Sequence, residues 1–210
     1  HKGEIYVMGG SFNDDPAVIG GPPTRVYFND VWKSRNGRDW VKLTDSAPWE
    51  PRAGAMVVVK DGYIYLLGGE DGFICLPQPC TPPYFNDVWR TRDGANWELV
   101  TAAADWAPRP GHQVVVLLNH FILFGGFGLD PTDLSKAANP MDIWASKDGA
   151  DWVQVSDSPW NAATPEEIKY DFDTLVVSGG KGGQRPSIFT FGGDRETFDF
   201  EDPTNYLNVD

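Results

Sequence analysis

Nine tryptophans fall into three triplets: Trp32, Trp40 and Trp49; Trp89, Trp97 and Trp106; Trp144, Trp152 and Trp160. The first and second members step by 57 and then 55 residues, and the third by 57 and then 54. Gly-Gly pairs close an apolar run four times, at Gly9-Gly10, Gly68-Gly69, Gly125-Gly126 and Gly192-Gly193. Self-similarity at a fixed period marks a repeat architecture and overrides any division of the 210 residues into two unlike domains.

Each period reads as four strands. An inner strand A covers 55–59 and 113–118. Strand B covers 63–67 and 121–124, strand C 29–34 and 86–91, and strand D 39–43 and 96–100. Strands A and B are nearly continuous apolar runs, as expected where both faces are covered. Strand D alternates, Trp40 and Lys42 against Val41 and Leu43, as a half-exposed outer strand does. Asn36-Gly37, Asp93-Gly94 and Asp148-Gly149 separate C from D and predict tight hairpins with glycine at positive φ. The period carries no helical pattern. A four-stranded antiparallel meander at this spacing is a propeller blade. Glycine (23) and proline (17) make about a fifth of the chain, in keeping with many turns and short elements.

The resemblance is to the kelch-repeat family, on Arg109-Pro110-Gly111-His112, Phe124-Gly125-Gly126 and Trp152. The second repeat keeps Arg52-Ala53-Gly54 but has Ala55 where the histidine stands. The last departs further: its strand A, residues 171–177, has no Arg-x-Gly ahead of it. The resemblance implies a kelch-type β-propeller, all-β, whose members bind proteins or glycans and in a few cases are enzymes. The Asp-Val-Trp and Asp-Gly-x-x-Trp variant resembles a subgroup often secreted. The expected blades are 1–49 (partial, without its inner strand), 50–106, 107–160 and 161–210 (partial). Six or seven blades at this period would need roughly 340–400 residues, so the chain is expected to be about half a ring. Both ends read as cuts through something larger, and the missing blades or a second chain are expected to complete the ring.

Thirty acidic against 17 basic residues, a net charge of -13, disfavour nucleic acid and anionic membranes. No run reaches the ~18 apolar residues of a membrane helix.

In an A–B–C–D meander the B–C and D–A connections share one end, and here they are the long ones. Long loops on one rigid face are where binding usually lives. The expected contacts there are Phe73, Phe127, Arg52 and Arg109, with Trp49, Trp106 and Trp160 of the D–A connections. These tryptophans have two readings: exposed platforms for a sugar or a protein anchor, or, since they recur in every blade, plugs sealing each blade against the next. The plug is the favoured one. Cys75 and Cys80, four residues apart with two prolines between, suit a local disulfide and an oxidising compartment.

His112, at the head of an inner strand, reads as a packed, hydrogen-bonded core residue, and His120 as a solvated turn residue. Carboxylates from Asp194 to Asp202 read as a solvated acidic loop, with calcium the less favoured alternative. No catalytic motif, metal set or cofactor fingerprint occurs. The expected function is a non-catalytic, extracellular binding or scaffold module for a protein partner. A glycan-binding propeller is the alternative, and a carbohydrate-active or isomerase enzyme a more distant one.

Overall fold

Residues rich in valine, isoleucine and aromatics, broken by glycine pairs, can satisfy their backbone only in short paired strands. The computed structural model describes residues 1–13, 25–72, 81–130, 132–137, 139–157, 172–178 and 185–193. Those residues are all-β. The first repeat holds β1 (Ile5–Met8), a short hairpin of β2 (Ser11–Asn13) and β3 (Arg25–Tyr27), then β4 (Val31–Ser34) and β5 (Trp40–Thr44). The second holds β6 (Met56–Lys60), β7 (Tyr63–Glu70), β8 (Tyr84–Thr91) and β9 (Trp97–Thr101). The third holds β10 (His112–Leu117), β11 (His120–Gly125), a hairpin of β12 (Leu129–Asp130) and β13 (Asp133–Ala137), then β14 (Asp142–Ser146) and β15 (Trp152–Asp157). A hairpin of β16 (Asp173–Val177) and β17 (Ser187–Phe191) follows.

Pairing is antiparallel and sequential. The orders are β1-β4-β5, β6-β7-β8-β9 and β10-β11-β14-β15, followed by β16-β17. Among the described residues the first sheet has three strands and no inner one, as its sequence implied. Strands β6 and β10 are neighbours, and so are β10 and β16, whereas no such contact joins the fourth strands of successive sheets among the described residues. The sheets therefore converge at their first strands and splay at their last, which is the wedge geometry of a blade.

One register packs them all. Tyr6 and Met8, with Val31 and Leu43, meet Leu66, Trp89 and Trp97 of the second sheet. One repeat on, Tyr65, Leu67, Val88 and Val100 meet Phe121, Leu123, Trp144 and Trp152 of the third. One more, Ile122, Phe124 and Ile143 meet Phe172, Val176 and Ile188. Period-two alternation sends residues of β1, β7 and β11 to opposite neighbours in turn. At the two ends of the stack the outward sets are left open. Ile5 and Val7 are 51 % and 49 % exposed, and Phe189 and Phe191 48 % and 53 %. Phe189 and Phe191 stand at the repeat positions of Tyr65 and Leu67, and Ile5 and Val7 at those of Ile64 and Leu66. The two open faces are thus the two halves of the interface that recurs inside the stack.

Two local expectations are corrected. The C–D connections hold glycine at positive φ as expected, but they are five residues long, 35–39, 92–96 and 147–151, against the four expected between strands C and D from the sequence. Each is built around an Asx side chain: Asp93 Oδ1 accepts the N–H of Ala95 (2.9 Å) and Asn96 (2.8 Å), and Asn36 and Asp148 do the same. The hydroxyl of Ser34, Thr91 or Ser146 accepts the N–H of the following glycine. Glycine is needed there, with φ of 72°, 79° and 87° at Gly37, Gly94 and Gly149. The second correction concerns the B–C loops, where β2–β3 and β12–β13 form hairpins that no period-two apolar pattern announced.

Candidate functional site

The D–A connection and the head of the inner strand carry the repeat's polar chemistry. Asn86 Nδ2 donates to the carbonyls of Ala104 (2.9 Å) and Trp106 (3.1 Å), which fixes the connection over its own sheet. Asn29 does the same for Ala47 and Trp49. The next arginine is then pinned by its backbone: Arg109 N–H donates to Phe85 O (3.2 Å), and Arg109 O accepts from Gly69 N–H (3.3 Å). Its side chain crosses into the third sheet.

There the guanidinium is saturated. Arg109 Nη1 and Nη2 form a fork on Asp142, at 2.6 and 3.0 Å. Nη1 also reaches Gly125 O (3.3 Å), and Nε reaches Ala107 O (3.0 Å). Trp144 Nε1 donates to the same carboxylate at 2.6 Å. Burial pushes the Asp142 carboxyl up, but Arg109 and Trp144 outweigh it and hold it below the usual range. Arg52 repeats the arrangement with Asp87 (2.5 and 2.9 Å), Gly68 O, Glu50 O and Trp89. Each arginine therefore belongs to one sheet by backbone and to the next by side chain. Bidentate arginine–carboxylate pairs are the stronger, geometrically specific kind.

This corrects the expectation that Arg52, Arg109 and Phe127 present a binding surface, and for Trp49 and Trp106 it agrees with the favoured reading, the plug, over the exposed platform. All five are buried, Arg109 fully (0 % exposed). Trp106 packs edge-on to Trp152 (6.0 Å between ring centroids) and Trp49 to Trp97 (5.7 Å), each on the outer strand of the following sheet. Phe127 packs against Tyr84 (6.0 Å) and Leu129 beneath the long-loop end. Their contacts are with this chain, because the apolar wedge between sheets is the deepest place they can reach. Phe73, Cys75, Cys80, Trp160 and the acidic loop from Asp194 to Asp202 lie outside the described residues. Sequence reasoning missed Asp87 and Asp142 as the partners of the arginines. The signal was there: an aspartate two residues before each strand-C tryptophan, recurring in step with Arg-x-Gly.

At the long-loop end the exposed aromatic surface comes instead from the β2–β3 hairpin. Phe12 and Val26 are cross-strand partners, 56 % and 52 % exposed, and Phe28 follows them. Among the described residues no group of three histidines, cysteines or carboxylates is placed to hold a metal ion.

His112 is fully buried against Trp106 (5.6 Å), with a backbone interaction at Arg109 but no partner in hydrogen-bond geometry at either ring nitrogen. Burial, with the Arg109 charge, pushes its pKa down from 6.5 to about 3. The folded state holds the ring neutral while the unfolded chain protonates near the ordinary value. Stability is then full above about pH 6.5 and falls as pH drops towards 3, by about 1.4 kcal/mol per unit. The depressed carboxylates Glu4, Asp93, Asp142 and Asp148 lose their contributions only below the ordinary carboxylate range. Urea unfolding at pH 7 and pH 5 should therefore differ by about 2 kcal/mol. His112→Ala, the residue found at the same place in the second sheet (Ala55), should flatten that difference. An unchanged slope in the variant would assign it to another group.

No family model matches the chain, and no curated protein matches its sequence.

Proposed function

We propose that the chain is part of a kelch-type β-propeller acting as a non-catalytic binding module, with a protein partner docked on the B–C end. The observation that carries this reading is the exposed apolar surface of Phe12 and Val26 on the β2–β3 hairpin and of Phe28 beside it. Aromatic side chains at a rim are typical anchors of protein interfaces. A specific interface needs about 800 Å² per partner, and by length the B–C connections suit that better than the five-residue C–D turns. Arg-x-Gly, the Gly-Gly strand ends and the strand-D tryptophans support the kelch assignment, and the wedge-like stacking of the sheets is consistent with it. An extracellular setting, in which Cys75 and Cys80 would be bridged, is part of the same reading. A sugar platform built from Trp49 and Trp106 loses its support, since both indoles are interior.

Photo-crosslinking separates the two ends. A benzoylphenylalanine at position 12 should trap a protein, whereas one at the exposed position 38, in a C–D turn, should trap none. Adducts from position 38 alone, or a specific glycan-array signal with no protein adduct from position 12, would overturn the reading.

A further inference from the structure

The first two sheets differ at one place where the repeat is otherwise kept. Aligning Gly9-Gly10 on Gly68-Gly69 sets Glu4 on Tyr63 and Tyr6 on Tyr65, and aligning the Asp-Val-Trp motifs sets Lys33 and Arg35 on Arg90 and Arg92. The strand pairing agrees: Tyr6 faces Lys33, and Tyr65 faces Arg90. In the first sheet the Glu4 carboxylate collects these groups, accepting from Lys33 Nζ (3.2 Å), Arg35 Nε (3.2 Å) and the Tyr6 hydroxyl (3.1 Å). In the second sheet the cations and the tyrosine remain, but the carboxylate has become the ring of Tyr63. Arg90 and Arg92 lie over that ring, 4.5 and 4.1 Å from its centroid. Glu98 compensates Arg90 from the outer strand (2.9 Å), but among the described residues no carboxylate pairs with Arg92.

A cavity of about 290 Å³ opens at this position, between the second and third sheets, lined by Lys60, Tyr63, Tyr65, Arg90, Asn119 and Lys147. Two carboxylates also border it, Asp61 and Asp148, the latter engaged through Oδ1. Asp61 is paired with Lys60, and Asp148 accepts the N–H of Ala150 (2.9 Å) and Asp151 (3.1 Å) in its turn. Lys147 has no ion-pair partner among the described residues and is exposed at the mouth.

We propose that this cavity binds a small organic carboxylate with an aromatic or apolar body. Its charge lies between Arg90 and Lys147, beside the Tyr63 ring that takes the place of Glu4, and its body lies along Tyr63 and Tyr65; Arg92 is not part of the lining. The volume sits at the low end for ligand sites and suits roughly ten heavy atoms. The site is at the opposite end from the docking surface and does not depend on it.

Benzoate is the probe and benzamide its neutral isostere. In an amide-resolved NMR titration of the whole chain, benzoate should shift residues 63–65 and 147–149 saturably, with a dissociation constant on the order of 1 mM, as expected for nine heavy atoms. Benzamide should bind about tenfold more weakly, the effect of one lost charged contact. Tyr63→Glu restores the internal carboxylate of the first sheet and should abolish benzoate binding. Lys147→Ala, at an exposed position, should weaken it about fivefold with the fold intact, and serves if Tyr63→Glu does not fold. Absence of saturable shifts, equal affinity for benzamide, or unchanged binding in a folded Tyr63→Glu or Lys147→Ala protein would each overturn the proposal.

Discussion

Replacing Trp106 by alanine should lower the unfolding free energy by about 3–5 kcal/mol, the range for a large buried aromatic whose site cannot collapse. The indole is 1 % exposed and sits where three things meet: its own D–A connection, the outer-strand Trp152 and the buried ring of His112. Its removal opens a void at the edge of the largest apolar cluster, which joins the second and third sheets. Because Trp106 Nε1 has no hydrogen-bond partner, Trp106→Phe removes volume but no bond and should cost only about 1–2 kcal/mol. The measurement is equilibrium urea unfolding followed by far-ultraviolet circular dichroism, which leaves the remaining tryptophans out of the readout. A Trp106→Ala protein as stable as the parent would mean that the indole does not seal the sheets together.

The arginines should matter as much, for a different reason. Arg109→Met keeps much of the side-chain volume but removes four hydrogen bonds from a place water does not reach. Asp142 is left with Trp144 alone, and the carbonyls of Gly125 and Ala107 lose their donor. Breaking a buried pair by removing one partner typically costs 3–5 kcal/mol, most of it the uncompensated charge left behind. Arg109→Lys should fall between parent and Arg109→Met, since an ammonium carries the charge but not the planar fork. The loss at Arg109→Met should also soften with acid, once Asp142 can take up a proton; in the parent the arginine keeps that carboxyl ionised.

Much of the architecture was legible because it is periodic. Tryptophan triplets and Gly-Gly pairs set the sheet boundaries, and the apolar runs placed β7, β8, β10 and β11 to within a few residues. The C–D turns lie at their Asn-Gly and Asp-Gly pairs with the expected positive φ, and only their length differed. The length of the connection is set by the side chains of Asp93 and Thr91 reaching the backbone, which a dipeptide rule does not count. The hairpins β2–β3 and β12–β13 escaped because their short strands carry no alternating apolar pattern.

Arg52, Arg109 and Phe127 were expected at the surface and are buried instead. An arginine beside prolines in a long connection looks exposed in sequence. Its burial depends on the neighbouring sheet, which a pattern within one repeat does not contain. The same limit hid the cavity near Tyr63: only comparison of Glu4 with its repeat-mate exposes the missing carboxylate.

The recurring Arg, Asp and Trp set is a lock between successive sheets and not a ligand site. A double-mutant cycle over Arg109→Met and Asp142→Asn, read by urea unfolding, is the decisive test. The lock predicts a coupling of about 2–3 kcal/mol, with the double variant far less damaged than the sum of the two singles. A coupling near zero, with Arg109→Met tolerated on its own, would contradict it and return the arginine to the pool of residues free to bind a partner.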